Sequence, residues 1–467
     1  MGAAQQPGGL IAAAEETARR YAEQCLRAHG LPRAPRPIDL AAEHPAAAAA
    51  RCGLMMLTGD AGGEPELCPA PIAACADGVL AALEAIAPAG VLNGLRGSQL
   101  LTERAAITGA LRNGAISPNG SCRLLQTCDG MIALNLPRED DWSLLPAWLE
   151  DRVEPVWDAV SIRVAARRVE TLVERGRLLG LAVADASLRS GTGPLLPQLS
   201  PASGGGRGSW LGQAQKRPLV VDLSSLWAGP LCTHLLQLCG AEVIKVESLH
   251  RPDGARDGSA VLFDLMHAGK RSVALDFKTD AGRAQLRALL QRADIVVEAS
   301  RPRALRQLGI DAPALLAARP QQTWISLTGY GRTEPQAQWI AYGDDAGAAA
   351  GLSSMLHAAT GRWLICGDAI ADPLAGLHAA LAAWAGWLGG GGGLVELPLA
   401  DVVHHCAGFE LRHTPHERWR AWMQHLSASH QPVLAPRSRI PQAHAAALGA
   451  DTAAVLSALQ IEPAPAC

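Results

Sequence analysis

The chain is poor in aromatic residues and carries no strong charge of either sign. Only three Phe and three Tyr occur among 467 residues, and the formal net charge is −3. A balance this close to zero gives no reason to expect nucleic acid or an anionic membrane surface as a partner. The most apolar region, residues 369–388, contains Asp372 and His378, which predicts a buried helix rather than a membrane span.

Signals for secretion and for several common chemistries are also missing. No basic segment followed by a long apolar core opens the chain, which predicts a cytoplasmic protein. The eleven cysteines form no CxxC pair, so we expect free thiols. No GxGxxG, P-loop or GxSxG motif is present, and His404-His405 has no carboxylate at metal-ligand spacing. We therefore expect neither a bound metal nor a permanently bound cofactor.

What the sequence does have is a regular alternation of strand and helix patterns between residues 218 and 298. The strand patterns are short apolar runs, and the helix patterns repeat leucines at helical spacing. This alternation predicts an α/β fold with a parallel sheet, which binds ligands at the carboxyl ends of its strands. The predicted elements are strands at 219–223, 242–247, 272–276 and 294–298, a helix from Leu231 that ends at Gly240, and a helix at 281–292.

Changes in composition divide the chain into five predicted parts. A Gly-rich linker separates an N-terminal half from the sheet domain. The N-terminal segment has one helical pattern, residues 10–28, and no residues that indicate chemistry. The predicted parts are an accessory N-terminal helical segment at 1–45, a half containing a small domain at 46–202, the linker at 203–209, the sheet domain at 210–430 and a C-terminal tail at 431–467.

Four segments of the sheet domain resemble the family III CoA-transferases, also called the CaiB–BaiF family. They are residues 227–230, 240–247, 269–278 and 293–302, which match the family's AGP turn, GAEVIKVE, GKRSVALDLK and ADVLVENFRPG segments in order and spacing. The resemblance implies a Rossmann-like parallel sheet domain accompanied by a smaller α+β domain. It also implies an enzyme whose substrates are acyl-CoA and a carboxylic acid.

The order of the domains departs from the family pattern. Residues 122–137 and 166–186 resemble parts of the family's small domain, and Asp129-Gly130 marks a turn between two short strands. In the family the sheet domain comes first, whereas here the small domain precedes it. The resemblance therefore implies a rearranged variant, either a circular permutation or a fusion with a second, truncated copy that lacks its own sheet.

A faint internal repeat relates the two halves. Residues 54–86 and 355–384 both resemble one family segment, and their alignment places Ala74 opposite Asp372. Dimers of the family are interlocked rings, so the repeat leaves a homodimer and an internal pseudo-dimer as alternatives. In either case we expect one CoA site per chain.

The resemblance assigns the nucleophile to Asp372. In the family, the aspartate of this motif attacks acyl-CoA and becomes an aspartyl-CoA thioester before a second acid takes the CoA. A carboxylate suits this role because it is ionised at neutral pH and forms an activated acyl intermediate. Pro373 predicts that Asp372 caps a helix N-terminus, where N–H groups stabilise an anion. The alternative is that Asp372 is only a cap; Asp368 lies four residues too early for the motif.

Asp344 is the second candidate. It stands where the racemases of the family carry a base histidine, and racemisation needs two bases on opposite faces of the α-carbon. An Asp344–Asp372 pair would supply two such groups, although the histidine itself is missing. The alternative for Asp344 is a solvated acidic turn without a catalytic role.

For CoA, the resemblance indicates residues at the carboxyl ends of three strands. Two of them carry positive charges that pair with phosphates. The indicated set is Trp227, Ala228, Leu275, Lys278, Ala299, Ser300 and Arg301. CoA transfer is the favoured interpretation. An acyl-CoA racemase or isomerase and a non-catalytic CoA-binding subunit are the alternatives, and the presence of Asp372 in its full motif favours catalysis over the last.

Overall fold

A computed structural model describes residues 14–31, 34–187, 217–391, 393–410 and 412–462, and the predicted linker at 203–209 lies outside them. The N-terminal part consists of helices around a three-stranded antiparallel sheet. Its strands are β1 Cys122–Gln126, β2 Met131–Asn135 and β3 Ala182–Asp185. Its helices are α1 Thr17–Ala28, α2 Pro45–Cys52, α3 Ile72–Ile86, α4 Gly97–Leu100, α5 Glu103–Thr108, α6 Glu139–Ser143, α7 Leu145–Leu149, α8 Trp157–Ala165 and α9 Val169–Leu179.

The small sheet has a core of its own. Gln126 pairs with Met131 across the hairpin, so the turn predicted at Asp129-Gly130 is confirmed. Every residue of β2 is buried, because helices cover one face of this strand and the rest of the protein covers the other. Trp148 of α7 and Val160 of α8 pack with Ile132 on the helix-covered face.

The second part is a six-stranded parallel sheet with helices on both faces. Its strands are β4 Leu219–Leu223, β5 Glu242–Ser248, β6 Arg271–Leu275, β7 Ile295–Glu298, β8 Thr323–Thr328 and β9 Gly393–Pro398. They lie in the order β6-β5-β4-β7-β8-β9. Because the order reverses between β4 and β7, the carboxyl ends of these two strands flank the place where doubly wound sheets bind ligands. The α/β fold class is therefore confirmed, and each predicted strand agrees to within one residue at either end.

The helices of this part complete the layers. They are α10 Ala228–Leu238, α11 Ala260–His267, α12 Asp280–Leu290, α13 Pro302–Gln307, α14 Ala312–Ala318, α15 Gly343–Ala349, α16 Leu352–Thr360, α17 Ala371–Leu388, α18 Leu399–Gly408, α19 Pro415–Ala428 and α20 Thr452–Ala458. Alternate residues of the strands point to opposite faces. Val220 packs toward α10 and α17, whereas Val221 packs toward α12 and α20. The predicted buried helix in the most apolar region is α17, which is buried along almost its whole length.

One core joins the N-terminal helices to the sheet. The helix of the predicted accessory segment, α1, contributes Tyr21 and Leu26, both fully buried, to the same apolar cluster as α17. At the other end of the chain, the tail returns to the sheet edge, where Thr452 accepts a hydrogen bond from the backbone N–H of Ala274 in β6. None of the described helices is long and apolar enough to cross a membrane.

Two glycines show that the internal repeat extends to packing. A Cβ on Gly78 of α3 would lie 2.4 Å from the carbonyl oxygen of Ala18 in α1. A Cβ on Gly376 of α17 would lie 2.6 Å from the carbonyl oxygen of Ala228 in α10. Only glycine permits such close helix contacts. The alignment that sets Ala74 opposite Asp372 also sets these glycines opposite each other, so the α1/α3 pair is packed like the α10/α17 pair.

Candidate active site

Four aspartates meet where α15 and α17 begin, and we call Asp344, Asp345, Asp368 and Asp372 the acid cluster. Asp344 accepts a hydrogen bond of 2.7 Å from the backbone N–H of Ala369, just before α17. The N–H of Gly343 donates to the carboxylate of Asp372. The two predicted catalytic residues, Asp344 and Asp372, are thus brought together by contacts between the starts of two helices.

Gly343 is required at this contact. A Cβ on Gly343 would lie 2.4 Å from Oδ2 of Asp372 and 2.4 Å from the carbonyl oxygen of Ala369. Both distances are far below a normal carbon–oxygen contact, so any side chain here would push α15 and α17 apart. The absence of a side chain at position 343 therefore sets the position of the Asp372 carboxylate.

The prediction that Asp372 is an N-cap is wrong. The helix begins at Ala371 with Ile370 as its N-cap, so Asp372 is the second helical residue and Pro373 the third. Pro230 occupies the third position of α10 in the same way. The first four N–H groups of a helix have no partner within it, so proline is tolerated anywhere in the first turn. Asp372 still lies near the positive end of the helix dipole.

The members of the acid cluster differ in their exposure to solvent. Asp344 and Asp345 are 3% and 0% exposed, whereas Asp372 keeps partial contact with solvent. Burial raises the pKa of Asp344 to about 7, and the nearby charge of Asp368 adds to the effect. Burial also raises the pKa of Asp345 to about 7 and that of Asp372 to about 6. The carboxyl that a ligand can reach is therefore mostly ionised at neutral pH, and Asp344 and Asp345 titrate in the range suited to proton transfer.

The small sheet reaches the cluster through the end of β2. Nδ2 of Asn135 donates to Oδ1 of Asp345 at 3.0 Å, and the backbone N–H of Tyr342 donates to the same oxygen at 2.9 Å. Oδ1 of Asn135 and Oδ2 of Asp345 are buried without a hydrogen-bond partner among the described residues. Unpaired buried polar atoms are uncommon in folded proteins, and their presence here is typical of a functional site.

Arg104 of α5 was not predicted from the sequence. Its Nε and Nη2 donate to the two carboxylate oxygens of Asp368 at 2.8 and 2.5 Å. The guanidinium lies 5.1 Å from the centre of the Trp227 ring. Asp368, set aside as too early for the motif, thus has a partner 264 residues away in the chain. No local sequence pattern signals a contact of that length.

Backbone strain marks both sides of the site. Leu226, just before Trp227, has φ of +69°, and Ala369, just before α17, has φ of +45°. Each N–H is held by a carboxylate: Asp253 accepts from Leu226 at 3.0 Å, and Asp344 accepts from Ala369. Left-handed residues other than glycine are unfavourable and concentrate at functional sites, so these two support a site here.

Two buried lysines hold the turn between β4 and α10. Nζ of Lys270 donates to Oγ1 of Thr233 at 2.6 Å and to Oδ2 of Asp222 at 3.2 Å. Nζ of Lys245 donates to the carbonyl oxygen of Ser224 at 3.1 Å and to Asp253 at 2.8 Å. Burial lowers the pKa of Lys270 to about 8. Lys245 belongs to the 240–247 segment and Lys270 to the 269–278 segment. Both segments therefore help to fix the turn that contains Trp227.

The predicted CoA residues lie at three strand ends. Trp227 and Ala228 follow β4 and are buried next to α17, close to Asp372. Leu275 is buried at the end of β6, and Lys278 is exposed beyond it. Ala299 and Arg301 are exposed after β7, and Ser300 is half-buried between them. Trp227 is linked to the acid cluster through Arg104, which also pairs with Asp368, and the carbonyl oxygen of Ala228 lies against Gly376 of α17, one turn after Asp372.

A cavity of about 560 Å³ lies beside the acid cluster. Its floor contains Arg104 and Asp368, and the loop at residues 108–119 provides most of the wall. Both the loop and Arg104 belong to the N-terminal half. Within the described ranges, no group of three His, Cys, Asp or Glu side chains is arranged to hold a metal ion.

The first copy of the repeat has no such acid cluster. Helix α2 ends at Gly53 with φ of +87°, as α15 is followed by Gly351 with φ of +97°. Gly53 and Gly351 are separated by the same number of residues as Ala74 and Asp372, so one alignment pairs both. It places alanines opposite all four members of the acid cluster, at positions Ala46, Ala47, Ala70 and Ala74.

Comparisons with known proteins find similarity to CoA-transferases over part of the chain. A family model described as CoA-transferase family III matches residues 218–439. The succinate–glutarate CoA-transferase of Agrobacterium fabrum is 31% identical over 200 residues, which cover 39% of this chain and 50% of that protein. A formyl-CoA:oxalate CoA-transferase of Escherichia coli is 29% identical over 204 residues, which cover 41% of this chain and 49% of that protein. The chain spans about half the length of the curated relatives it matches.

Solved structures with partial similarity include proteins from Brucella suis and Mycobacterium tuberculosis. A CaiB/BaiF family protein from Brucella suis has 28% sequence identity, and the match covers 47% of this chain and 58% of that chain with a TM-score of 0.36. The protein Rv3272 from Mycobacterium tuberculosis has 27% sequence identity, and the match covers 44% of this chain and 55% of that chain with a TM-score of 0.36.

Proposed function

We propose that the chain is an enzyme that moves CoA from an acyl-CoA thioester to a carboxylic acid, because residues 218–439 match the family model described as CoA-transferase family III. The observation that carries the proposal is Asp372: a partly exposed carboxylate in the first turn of α17, held by the N–H of Gly343. The other three members of the acid cluster are buried, so Asp372 is the carboxylate that a thioester can reach.

The proposed reaction begins with Asp372 as the nucleophile. One of its carboxylate oxygens attacks the thioester carbonyl carbon, the carbon–sulfur bond breaks, and CoA leaves as a thiolate. The products of this step are a mixed anhydride and the thiolate. The thiolate then attacks the carbonyl carbon of the Asp372 side chain, and the donor acid leaves as a carboxylate. Asp372 is now an aspartyl-CoA thioester.

The second half of the reaction reverses these steps with the acceptor. The acceptor carboxylate attacks the aspartyl thioester and releases the CoA thiolate, which leaves a second mixed anhydride. The thiolate attacks the acceptor's acyl carbon, so that the new acyl-CoA forms and Asp372 returns as a carboxylate. Charge balances at each step, and no proton is consumed.

The electrostatics of the acid cluster suit this sequence. With a pKa of about 6, Asp372 is mostly ionised at pH 7 but is a stronger base than an exposed aspartate. Greater basicity makes a carboxylate a better nucleophile, provided that it remains ionised at the working pH. Asp344 accepts the Ala369 N–H and is 3% exposed, so we assign it to positioning the start of α17.

We place the CoA moiety at the carboxyl edge of the sheet. Trp227 and Ala228 would contact the part of CoA nearest to Asp372. Lys278 and Arg301 would pair with its phosphates, and the remaining contacts would come from Leu275, Ala299 and Ser300. What supports this proposal is the position of these residues after β4, β6 and β7, on both sides of the switch point of the strand order.

A second candidate function is an acyl-CoA racemase or isomerase on the same fold. The observation that favours it is the pair Asp344 and Asp372, whose pKa values of about 7 and about 6 both suit proton transfer at an α-carbon. Against it, burial keeps Asp344 from a substrate in the present conformation. A non-catalytic CoA-binding subunit is the third alternative.

We further propose one CoA site per chain, with the N-terminal half in the place of a second subunit. The support is the set of alanines opposite the acid cluster and the shared packing of α1/α3 and α10/α17. An internal pseudo-dimer of this kind needs no second chain to complete the site, although a homodimer is the alternative.

The proposed function is tested by a screen of acyl-CoA donors against carboxylic acid acceptors, with CoA exchange followed by mass spectrometry. We expect exchange with the wild-type protein and none with Asp372→Asn, while the affinity for CoA changes by no more than a few-fold. Deuterium incorporation at the α-carbon without exchange would instead establish the racemase. CoA binding without either reaction would establish the binding subunit.

A further inference from the structure

Arg104 places a positive charge against the acid cluster from the N-terminal half. Its side chain is 22% exposed, and its partner Asp368 is 1% exposed. The bidentate ion pair uses Nε and Nη2, while the guanidinium carbon lies over the indole of Trp227. Arg104 therefore connects the turn after β4 with the start of α17. The proposed reaction requires these two elements to keep a fixed position relative to each other.

We propose that Arg104 is a positioning residue for this reaction: its ion pair with Asp368 and its contact with Trp227 fix the start of α17 against the turn after β4, and its positive charge faces the Asp372 carboxylate there. The inference rests on the proposed function for its catalytic consequence. The charge effect itself is a property of the folded protein and can be measured without turnover.

Titratable groups on several elements face the two carboxyls concerned. Asp372 is opposed by Arg104 of α5, while Asp368, before α17, adds like charge. Asp344 faces the same two groups and its neighbour Asp345 in α15. Asp345 also faces Asp372, and the buried thiol of Cys122 in β1 faces both Asp344 and Asp345. Tyr342 before α15 and the uncharged amide of Asn135 in β2 lie next to Asp345. Arg104 is the cation that acts on Asp344 and Asp372 within the described residues.

The two members of the ion pair act in opposite directions. The charge of Arg104 lowers the pKa of Asp344 and Asp372, whereas the charge of Asp368 raises both. Removing the positive charge should therefore protonate Asp372 at a higher pH, and removing the negative charge should protonate it at a lower pH. A pair that served only to hold two segments together would give losses of the same kind for both substitutions.

The test compares Arg104→Gln, Asp368→Asn and the double variant with the wild-type protein. Carbon-13 NMR of aspartate carboxyls, with Asp372→Asn for assignment, measures the titration of Asp372 in each protein. Rates of CoA exchange between pH 5 and 9 give the acidic limb of kcat/KM. Arg104→Lys retains the charge, and Arg112→Gln removes an arginine of the same cavity that donates to the carbonyl oxygens of Gly63 and Met56.

We expect the Asp372 titration to move up by about one pH unit in Arg104→Gln and down in Asp368→Asn, because an adjacent arginine lowers an aspartate pKa by about 1–3 units. The double variant should return close to the wild-type titration, and Arg104→Lys and Arg112→Gln should leave it unchanged. The acidic limb of the rate profile should follow the same order. At pH 6, Arg104→Gln should lose roughly fivefold more activity than at pH 8, because the ionised fraction of Asp372 changes mainly between these two pH values.

Two results would overturn the proposal. One is an Asp372 titration that stays in place in both single variants while each remains folded. The other is an Asp372 titration that shifts in the same direction in Arg104→Gln and in Asp368→Asn. If Arg104→Gln does not fold, the downward shift in Asp368→Asn decides the matter alone. If the titrations shift as expected but no protein exchanges CoA, the proposed function fails and the charge effect of Arg104 stands.

Discussion

Gly343→Ala is a one-atom test of the contact that positions Asp372. The added Cβ would lie 2.4 Å from Oδ2 of Asp372 and 2.4 Å from the carbonyl oxygen of Ala369. Relief to an ordinary contact needs a movement of about 1 Å, because non-bonded heavy atoms are at their optimum near 3.5 Å. Gly343 is helical without positive φ, so alanine introduces no backbone strain there.

The size of the effect follows from that displacement. Overpacking of a tight core contact destabilises a protein by about 1–3 kcal/mol. A displacement of about 1 Å at a reacting group reduces turnover by roughly a hundredfold. We therefore expect kcat for CoA exchange to fall by about that factor, with a modest decrease in the denaturation midpoint. Steady-state kinetics and urea unfolding measure the two quantities.

Gly347→Ala is the matched control in the same helix. Its Cβ would lie 2.9 Å from Cγ2 of Ile370, a methyl group of an apolar side chain, and none of its close contacts is with Asp372. We expect a comparable or smaller loss of stability and a kcat near that of the wild type. Wild-type turnover in Gly343→Ala would refute the argument that this contact sets the position of the nucleophile.

Three further predictions follow from burial and from the repeat. The pKa of Asp344 is raised to about 7 in the folded state, so folding binds a proton at this carboxyl between about pH 4 and 7, and the contribution of Asp344 to stability falls as pH rises through that window. Asp344→Asn should remove this contribution to the fall. It should also raise the free energy of unfolding at pH 8, measured by urea unfolding, by ~2 kcal/mol or more. Calorimetric titration should find one CoA site per chain, and two equivalent sites would contradict the assignment. Residues 209–467 expressed alone should exchange CoA poorly, since Arg104 and Asn135 are missing; undiminished activity would make the N-terminal half dispensable.

The sheet could be predicted because its strands are buried on both faces. Such strands appear in a sequence as short continuous apolar runs, and residues 219–223 and 242–247 are of this kind. The predicted helix from Leu231 begins three residues late, because the leucine spacing does not mark Ala228, Gly229 and Pro230, which form the first turn of α10. The assumption that Pro373 is the first helical residue gave the wrong cap for α17.

The acid cluster was only partly predictable. Asp344 and Asp372 follow from the motifs that contain them, and the structure brings them together through the Ala369 and Gly343 N–H groups. The other two members have partners in segments more than two hundred residues earlier in the chain: Arg104 pairs with Asp368, and Asn135 donates to Asp345. Tertiary contacts of this length leave no periodicity and no spacing in one sequence, so only the folded structure reveals them.

The most direct test of the account is to trap the covalent intermediate on Asp372. The protein is incubated with an acyl-CoA donor and hydroxylamine without an acceptor acid, and peptide mapping by mass spectrometry locates the resulting hydroxamate. We expect the label on Asp372, absent from Asp372→Asn and from reactions without donor. A label on Asp368 or Asp344, or CoA exchange that proceeds with no label on Asp372, would contradict the assignment of the nucleophile.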